Sequence, residues 1–92
     1  MIKSFKHKGL EKFYLNGLTK DIQSEHINKI RIILTRLNQI ELISDMDIPA
    51  FRLHRLKGDL KNHWAVKVNG NWRITFKFEN NDVYVVNYQD YH

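Results

Sequence analysis

The stretch that determines the fold class is residues 64–78, WAVKVNGNWRITFKF. On both sides of its turn sequence, large apolar residues alternate with polar or small ones. Alternation with a period of two is typical of strands that bury one face and expose the other. The stretch therefore predicts a β-hairpin with one apolar face and one polar face.

The register of this hairpin follows from the length of its turn. A two-residue turn at Asn69-Gly70 would set Val66 opposite Arg73, and the apolar faces of the two strands would disagree. A three-residue loop at residues 69–71 brings these faces into agreement. The pairs then expected on the apolar face are Val68 with Trp72, Val66 with Ile74, and Trp64 with Phe76.

The same register places Lys67 directly opposite Arg73 on the polar face. Like charges at a cross-strand pair are unfavourable by a few tenths of a kcal/mol up to about 1 kcal/mol. A bound phosphate would remove this penalty, and a third basic residue, Lys57, lies nearby in the sequence. The alternative is that both side chains extend into solvent.

Two further stretches extend the predicted sheet. Upstream, residues 51–54 alternate between apolar and polar side chains, which indicates another strand. Downstream, residues 83–88 form a strand after a polar turn at residues 79–83. A two-residue turn there would set Tyr88 beside Arg73, whereas a three-residue turn would point Tyr88 to the same side as Phe76. Periodicity does not choose between these registers.

Two helices are predicted before the sheet, after a short first strand at residues 2–5. The first helix covers residues 9–15 and ends at Asn16-Gly17, a sequence typical of a C-terminal cap. The second helix is longer, with Asp21 or Ser24 as its cap. Its apolar residues recur at helical spacing, so we predict a buried stripe opposite a solvated charged face. The stripe comprises Ile27, Ile30, Ile33, Leu34, Leu37 and Ile40, and the other face carries Lys29, Arg31, Arg36 and Asn38.

These elements predict an α+β fold in which two N-terminal helices cover one face of a mostly antiparallel sheet. A chain of 92 residues can form one hydrophobic core, and we expect a single domain over residues 1–92. The lack of cysteine excludes disulfides and thiolate metal sites and weakly favours a reducing compartment, so we expect a cytoplasmic protein. No stretch approaches the roughly 18 apolar residues that a membrane span needs.

The charge balance favours a polyanionic partner. Fifteen Lys and Arg residues against ten Asp and Glu residues give a formal net charge of +5. Nucleic acid is the first candidate for such a protein, and solubility alone is the alternative.

The strongest candidates for chemistry are Asp90, Tyr91 and His92, which directly follow the predicted last strand. They bring together a carboxylate, a phenol and an imidazole. His54 is a second candidate because it lies on the polar side of a predicted strand, shortly before a Lys57-Gly58-Asp59 loop that can approach a ligand closely. His63 could contact a phosphate, whereas His7 and His26, which lie in or beside helices among other polar residues, are expected to be bystanders in the chemistry.

Several other chemistries lack their sequence patterns. No HExxH, CxxC or paired-carboxylate motif is present, so we predict no metal site. The serines have no nucleophile elbow, and no glycine-rich phosphate loop is present. Acid–base cleavage of RNA remains, since it requires a proton acceptor, a proton donor and cations around the phosphate. Imidazole can play either proton role at neutral pH.

Four blocks of the sequence resemble the HigB toxins of the RelE superfamily. They are residues 1–10, MIKSFKHKGL; residues 53–59, LHRLKGD; residues 68–76, VNGNWRITF; and the ending Asp90-Tyr91-His92. Together they extend over essentially the whole chain. Arg55 stands where proline is common in the family, so the stiffness of that loop is expected to differ.

The resemblance implies a RelE-like microbial ribonuclease fold and a bacterial toxin that cuts translated mRNA in the ribosomal A site, without a metal or other cofactor, leaving a 2′,3′-cyclic phosphate. It implies as partners the ribosome, mRNA and a HigA-like helix-turn-helix antitoxin, with operator DNA contacted only through the antitoxin. The residues with implied active-site roles are His54, Lys57, Arg73, Asp90, Tyr91 and His92, and the further phosphate-binding candidates are Lys61, His63, Lys67 and Lys77. The sequence does not assign acid and base between the two histidines.

Two other functions fit the charge of the chain. A non-catalytic basic module that binds DNA or ribosomal RNA would need the cations but not the Asp90-Tyr91-His92 trio. An inactive toxin-like subunit kept for regulation would have the fold without the activity.

Overall fold

Two α-helices precede a four-stranded antiparallel sheet, which confirms the predicted α+β class. The computed structural model describes residues 1–90. The sheet order is β1-β2-β3-β4, so each strand pairs with its neighbour in sequence. The elements are α1 (Lys8–Asn16), α2 (Ile27–Leu37), β1 (His54–Arg55), β2 (His63–Asn69), β3 (Trp72–Glu79) and β4 (Asp82–Asp90).

Helix α1 has a cap at each end. The His7 Nδ1 atom accepts a hydrogen bond from the Leu10 N–H (2.9 Å), so His7 has a structural role as the N-terminal cap. At the other end Gly17 adopts φ 73°, and its N–H bonds back to the helix, as the Asn16-Gly17 sequence predicted. The caps satisfy backbone groups that the first and last turns leave without partners.

The predicted first strand is present as two isolated bridges. Ile2 pairs in parallel with Val83, and Phe5 pairs in parallel with Val86. The N-terminal segment therefore lies along β4, and Val85 N–H also donates to the Ser4 hydroxyl (2.9 Å).

Helix α2 begins after a short 3-10 turn at Ser24–His26 and has no side-chain cap. The prediction that Asp21 or Ser24 caps it is therefore wrong. Its apolar stripe is nevertheless buried, and it packs on the apolar face of the sheet. The core cluster includes Ile30, Ile33, Leu34 and Leu37 from α2, with Val66, Ile74, Phe76, Val83 and Val86 from the sheet.

The β2–β3 hairpin has most of the predicted register. Val66 pairs with Ile74 and Lys67 pairs with Arg73, as expected. The turn differs, because a register shift between Lys67 and Asn69 places Asn69, not Val68, opposite Trp72. A bulge at Val68 and a shorter turn together replace the predicted three-residue loop.

The β3–β4 hairpin combines features of both predicted registers. Its turn has two residues, Asn80 and Asn81, with φ of 49° and 67°. Between the pairs Lys77–Tyr84 and Thr75–Asn87, β4 has one residue more than β3, and this bulge shifts the pairing by one residue. On β4 this bulge falls at Val85, which has φ 49°. Because of the bulge, Tyr88 pairs with Ile74 on the core side of the sheet.

The strand predicted at residues 51–54 is shorter than expected. Phe51 ends a 3-10 turn, Arg52 adopts a left-handed conformation with φ 48°, and β1 contains only His54 and Arg55. This backbone turns the chain onto the edge of β2 just before His54. Within residues 1–90, no helix is long and apolar enough to cross a bilayer.

Candidate active site

Strand pairing brings predicted site residues into rows on the polar face of the sheet. In an antiparallel sheet, directly paired residues project to the same side. Three rows therefore cross this face: His54, Ala65, Thr75 and Asn87; Lys67, Arg73 and Gln89; and His63, Lys77 and Tyr84.

His54 and Arg73 meet on this face although β2 lies between their strands. The Arg73 Nη1 atom lies 3.1 Å from His54 Nε2. His54 reaches Arg73 across Ala65, which is directly paired with His54 and fully buried. The short alanine side chain leaves room for the imidazole to cross the strand. A larger residue at position 65 would occupy the space above β2.

The contacts of His54 define its tautomer. A guanidinium carries hydrogen-bond donors and no acceptor, so Arg73 donates and His54 Nε2 accepts. On the other side of the ring, His54 Nδ1 lies 3.0 Å from the Arg52 carbonyl oxygen, which can only accept. The imidazole is therefore neutral, with the proton on Nδ1 and a lone pair on Nε2.

Arg52 directs this arrangement through its backbone. Its φ of 48° lies in the left-handed region, where a residue with a side chain costs roughly 1–2 kcal/mol. In this conformation the Arg52 carbonyl faces the His54 ring. Strained backbone of this kind is common at functional sites, where the surrounding structure maintains it.

A side-chain hydrogen bond links β3 and β4 on the polar face of the sheet. Thr75 is buried on the polar face, and its hydroxyl accepts a hydrogen bond from Gln89 Nε2 (3.2 Å). Gln89 is also paired directly with Arg73. The bridge joins β3 to the end of β4 next to the Arg73–Gln89 pair.

The predicted basic residues fall in two places. Lys67 is directly opposite Arg73, and His63 is directly opposite Lys77, with all four on the polar face. Lys57 and Lys61 are exposed in the segment between β1 and β2, where Gly58 adopts φ 70°. His63 Nδ1 is buried and has no hydrogen-bond partner within residues 1–90.

Asp90 ends β4, and the register places it on the side of the sheet opposite to Arg73 and Gln89. It is exposed, lies opposite Trp72, and is next in the chain to Gln89, the partner of Arg73. The other two residues of the predicted trio, Tyr91 and His92, lie outside the described residues. Among residues 1–90, no group of three His, Asp or Glu side chains is arranged to hold a metal ion.

A buried polar pair supports the end of β4 from the core side. His26 is 2% exposed, and its Nδ1 lies 2.7 Å from the Tyr88 hydroxyl. Tyr88 also accepts the Gln23 N–H (3.3 Å) and stacks on Trp72 with ring centroids 4.6 Å apart. His26, predicted only to be a bystander in the chemistry, therefore has a structural role. Because most neighbours of His26 in the sequence are polar, the sequence did not indicate that its side chain is buried.

Lys29 and Arg52 lie near Lys67, although neither was predicted as a site residue. Lys29 was expected on a solvated helix face, but burial and the positive charges of Lys67 and Arg52 lower its pKa. Sequence spacing gave no signal for this proximity, since α2, the segment before β1, and β2 meet only in the folded chain.

Three solved structures of bacterial proteins share the fold of this chain. A single-residue mutant of YafQ from E. coli superimposes with a TM-score of 0.61 at 16% identity, covering 98% of this chain and 93% of that chain. The YoeB dimer from Staphylococcus aureus gives a TM-score of 0.61 at 15% identity, covering 99% and 94%. A YoeB–YefM complex from the same organism gives 0.58 at 12% identity, covering 97% and 98%. The likeness to these structures defines the fold class that this chain shares with them.

Sequence comparison narrows the class to one family. The family model described as the RelE-like toxin of the type II toxin-antitoxin system HigB matches residues 3–92. The curated protein Endoribonuclease HigB of Proteus vulgaris is 41% identical over 92 residues, covering 100% of both chains. This chain belongs to the HigB-like toxin family, as the four sequence blocks predicted.

Proposed function

We propose that this toxin is a ribosome-dependent endoribonuclease that cuts translated mRNA in the ribosomal A site. The observation that carries the proposal is the contact of Arg73 with the lone pair of His54 Nε2 (3.1 Å) on a basic sheet face. Membership of a toxin family whose curated relative is named an endoribonuclease supports the same activity.

In the proposed reaction, the ribose 2′-oxygen attacks the adjacent phosphorus and the bond from phosphorus to the 5′-oxygen breaks. His54 Nε2 takes the 2′-hydroxyl proton, a role suited to a neutral imidazole whose other nitrogen donates to the Arg52 carbonyl. His92 donates a proton to the departing 5′-oxygen. The products are a 2′,3′-cyclic phosphate and a 5′-hydroxyl, and the step uses no metal.

Cations stabilise the negative charge that develops on the phosphate. When the scissile phosphate binds, Arg73 transfers its hydrogen bond from His54 to a phosphate oxygen, which releases Nε2 for the 2′-hydroxyl. Lys57 approaches the same phosphate from the segment after β1. Asp90 orients an imidazole or the 2′-hydroxyl, and Tyr91 stacks on a base or bonds the RNA backbone.

The remaining basic residues bind flanking RNA, and the ribosome supplies the geometry. We assign flanking contacts to Lys61, His63, Lys67 and Lys77. So few catalytic groups give weak intrinsic catalysis, but a ribosome can hold the scissile nucleotide in line for attack. The proposed compartment is therefore the cytoplasm.

We also propose a HigA-like helix-turn-helix antitoxin as the neutralising partner. The family description names a type II toxin–antitoxin system, in which a protein antitoxin is expected. Operator DNA would be contacted through that antitoxin rather than by the toxin.

Primer extension on a translated message, with and without a chelator that removes transition metals but leaves the ribosomal Mg²⁺ in place, tests the proposed function. We expect cuts within codons that depend on translation and survive chelation. Cuts that disappear with the chelator would indicate a metal-dependent nuclease. An absence of cuts with folded protein would favour a non-catalytic binding module or an inactive toxin-like subunit.

A further inference from the structure

Lys29 connects helix α2 to the segment that precedes β1. Its ammonium donates a hydrogen bond to the Ala50 carbonyl oxygen (3.1 Å). Ala50 lies two residues before Arg52 and belongs to the 3-10 turn Pro49–Phe51. The contact holds a half-buried lysine at the edge of the sheet, where sequence periodicity predicted a solvated residue.

Three positive charges gather at this edge. Lys29 contacts Ala50, two residues before Arg52. Arg52 lies two residues before His54, and Lys67 lies two residues after Ala65, the direct partner of His54, so the antiparallel pairing brings both to the same end of β1. Consistent with this placement, burial and then the charges of Lys67 and Arg52 lower the pKa of Lys29. Within residues 1–90, the one ion pair joins the Met1 amino group to Asp82. No carboxylate of that part of the chain therefore forms an ion pair with Lys29, Arg52 or Lys67.

This cluster is continuous with the proposed active site. Lys67 lies directly opposite Arg73, whose guanidinium contacts His54. Arg52 reaches the same histidine through its carbonyl oxygen. An anion at the cluster would therefore lie beside the anion that Arg73 binds.

The cluster is unfavourable without a ligand. Like charges in proximity destabilise the folded chain, and Arg52 adds a left-handed backbone with φ 48°. A bound anion would neutralise part of this positive charge. Proteins bind single-stranded nucleic acid in positively charged grooves that follow the phosphate backbone of the strand.

We propose that Lys29, Arg52 and Lys67 form a binding site for a second mRNA phosphate, adjacent to the scissile phosphate at Arg73. The identity of the ligand rests on the proposed nuclease function. The site holds the strand on one side of the reacting phosphate, and it adds Lys29 and Arg52 to the groups that contact RNA.

Short 2′-O-methyl RNAs test this site without cleavage, because methylation removes the attacking hydroxyl. A dinucleotide carries one internal phosphate, whereas a tetranucleotide carries three. We expect Lys29→Ala to weaken binding of the tetranucleotide and to leave the dinucleotide unchanged. The slope of log affinity against log salt should fall by about 0.7, so the affinity ratio between 50 and 200 mM salt should fall by about 2.6-fold.

Lys12→Ala is the matched control, since Lys12 is an exposed lysine on α1. It should leave both affinities and the salt slope unchanged, and thermal unfolding should show that both variants remain folded. As a second readout, NMR of the labelled Lys29 side chain should show its pKa rising when the tetranucleotide binds, because a phosphate compensates the charges of Lys67 and Arg52.

Equal effects of Lys29→Ala and Lys12→Ala, or an unchanged Lys29 pKa on binding, would overturn the proposal. A Lys29→Ala variant that binds ribosomes more weakly but the tetranucleotide normally would assign the cluster to ribosomal RNA, and this too would overturn it. Binding of uncleavable RNA is independent of catalysis. Lys29-dependent binding in a protein that never cuts mRNA would therefore contradict the nuclease function alone.

Discussion

At the residue scale, the proposed chemistry depends on how the backbone orients the His54 side chain. The sequence predicted His54 and Arg73 as site residues, through their polar positions and through the family resemblance. It could not predict their direct contact, which requires small Ala65 between them and the left-handed Arg52 carbonyl behind the imidazole. Each of these conditions depends on register or backbone conformation rather than on residue type alone.

The proposed roles of the histidines predict a separation of activity from antitoxin binding. His92→Gln should abolish growth inhibition, because glutamine cannot supply a proton to the 5′-oxygen. The variant should still be captured by a tagged antitoxin. Growth assays and co-purification measure the two properties, and a fully toxic His92→Gln protein would refute the assignment.

The buried pair of His26 and Tyr88 predicts a stability effect. Tyr88→Phe removes the hydroxyl that bonds His26 and accepts the Gln23 N–H. Leaving buried polar groups without partners should cost about 1–3 kcal/mol of the free energy of unfolding. Tyr84→Phe is the control, because Tyr84 lies on the polar face of the same strand. Urea unfolding measures both, and equal costs would contradict this role of Tyr88.

Tyr88 also predicts a dependence of stability on pH. Burial raises the pKa of Tyr88 above its ordinary value of 10.0, so the folded chain keeps this proton more tightly than the unfolded chain. The resulting stabilisation is fully present below pH 10 and is lost as the pH rises through the folded pKa. Urea unfolding from pH 8 upwards should show a smaller alkaline loss for Tyr88→Phe than for the parent. An identical loss would show that Tyr88 is not responsible.

At the element scale, the hairpin of β2 and β3 was predictable and the end of the sheet was not. Alternating side chains determined the pairing of Val66 with Ile74 and of Lys67 with Arg73. The bulge at Val85 left no sequence signal, because a β-branched residue is a poor candidate for φ 49°. Contacts with the N-terminal segment, including the bond from Val85 N–H to Ser4, accompany this conformation.

The Val85 bulge predicts an unusual response to substitution. Val85→Asn should raise the free energy of unfolding by about 0.5–1 kcal/mol, because asparagine tolerates the left-handed region and Val85 is only half-buried. Val86→Asn should lower it by several kcal/mol, since Val86 is fully buried in the core. Chemical denaturation measures both variants. A Val85→Asn protein destabilised as strongly as Val86→Asn would show that position 85 carries no backbone strain.

At the scale of the whole molecule, one face of the sheet belongs to the hydrophobic core and the other carries the candidate active site. The helices pack on the apolar face that the period-two pattern predicted, and side chains of both layers form the core. The polar face gathers His54, Lys67 and Arg73 from three different strands. The positions of Lys29 and Arg52 could not be read from the sequence, because they depend on how α2 and the segment before β1 pack at the edge of the sheet.

The central claim is that this polar face is the site where mRNA is cut. The most direct test is the single-turnover rate of mRNA cleavage on programmed ribosomes, for the parent protein and for His54→Gln at saturating toxin. His54 is exposed, so the variant should fold normally. We predict a rate about 10²–10⁴-fold lower, the usual contribution of a positioned general base. A His54→Gln protein that cuts at the parental rate would contradict the claim.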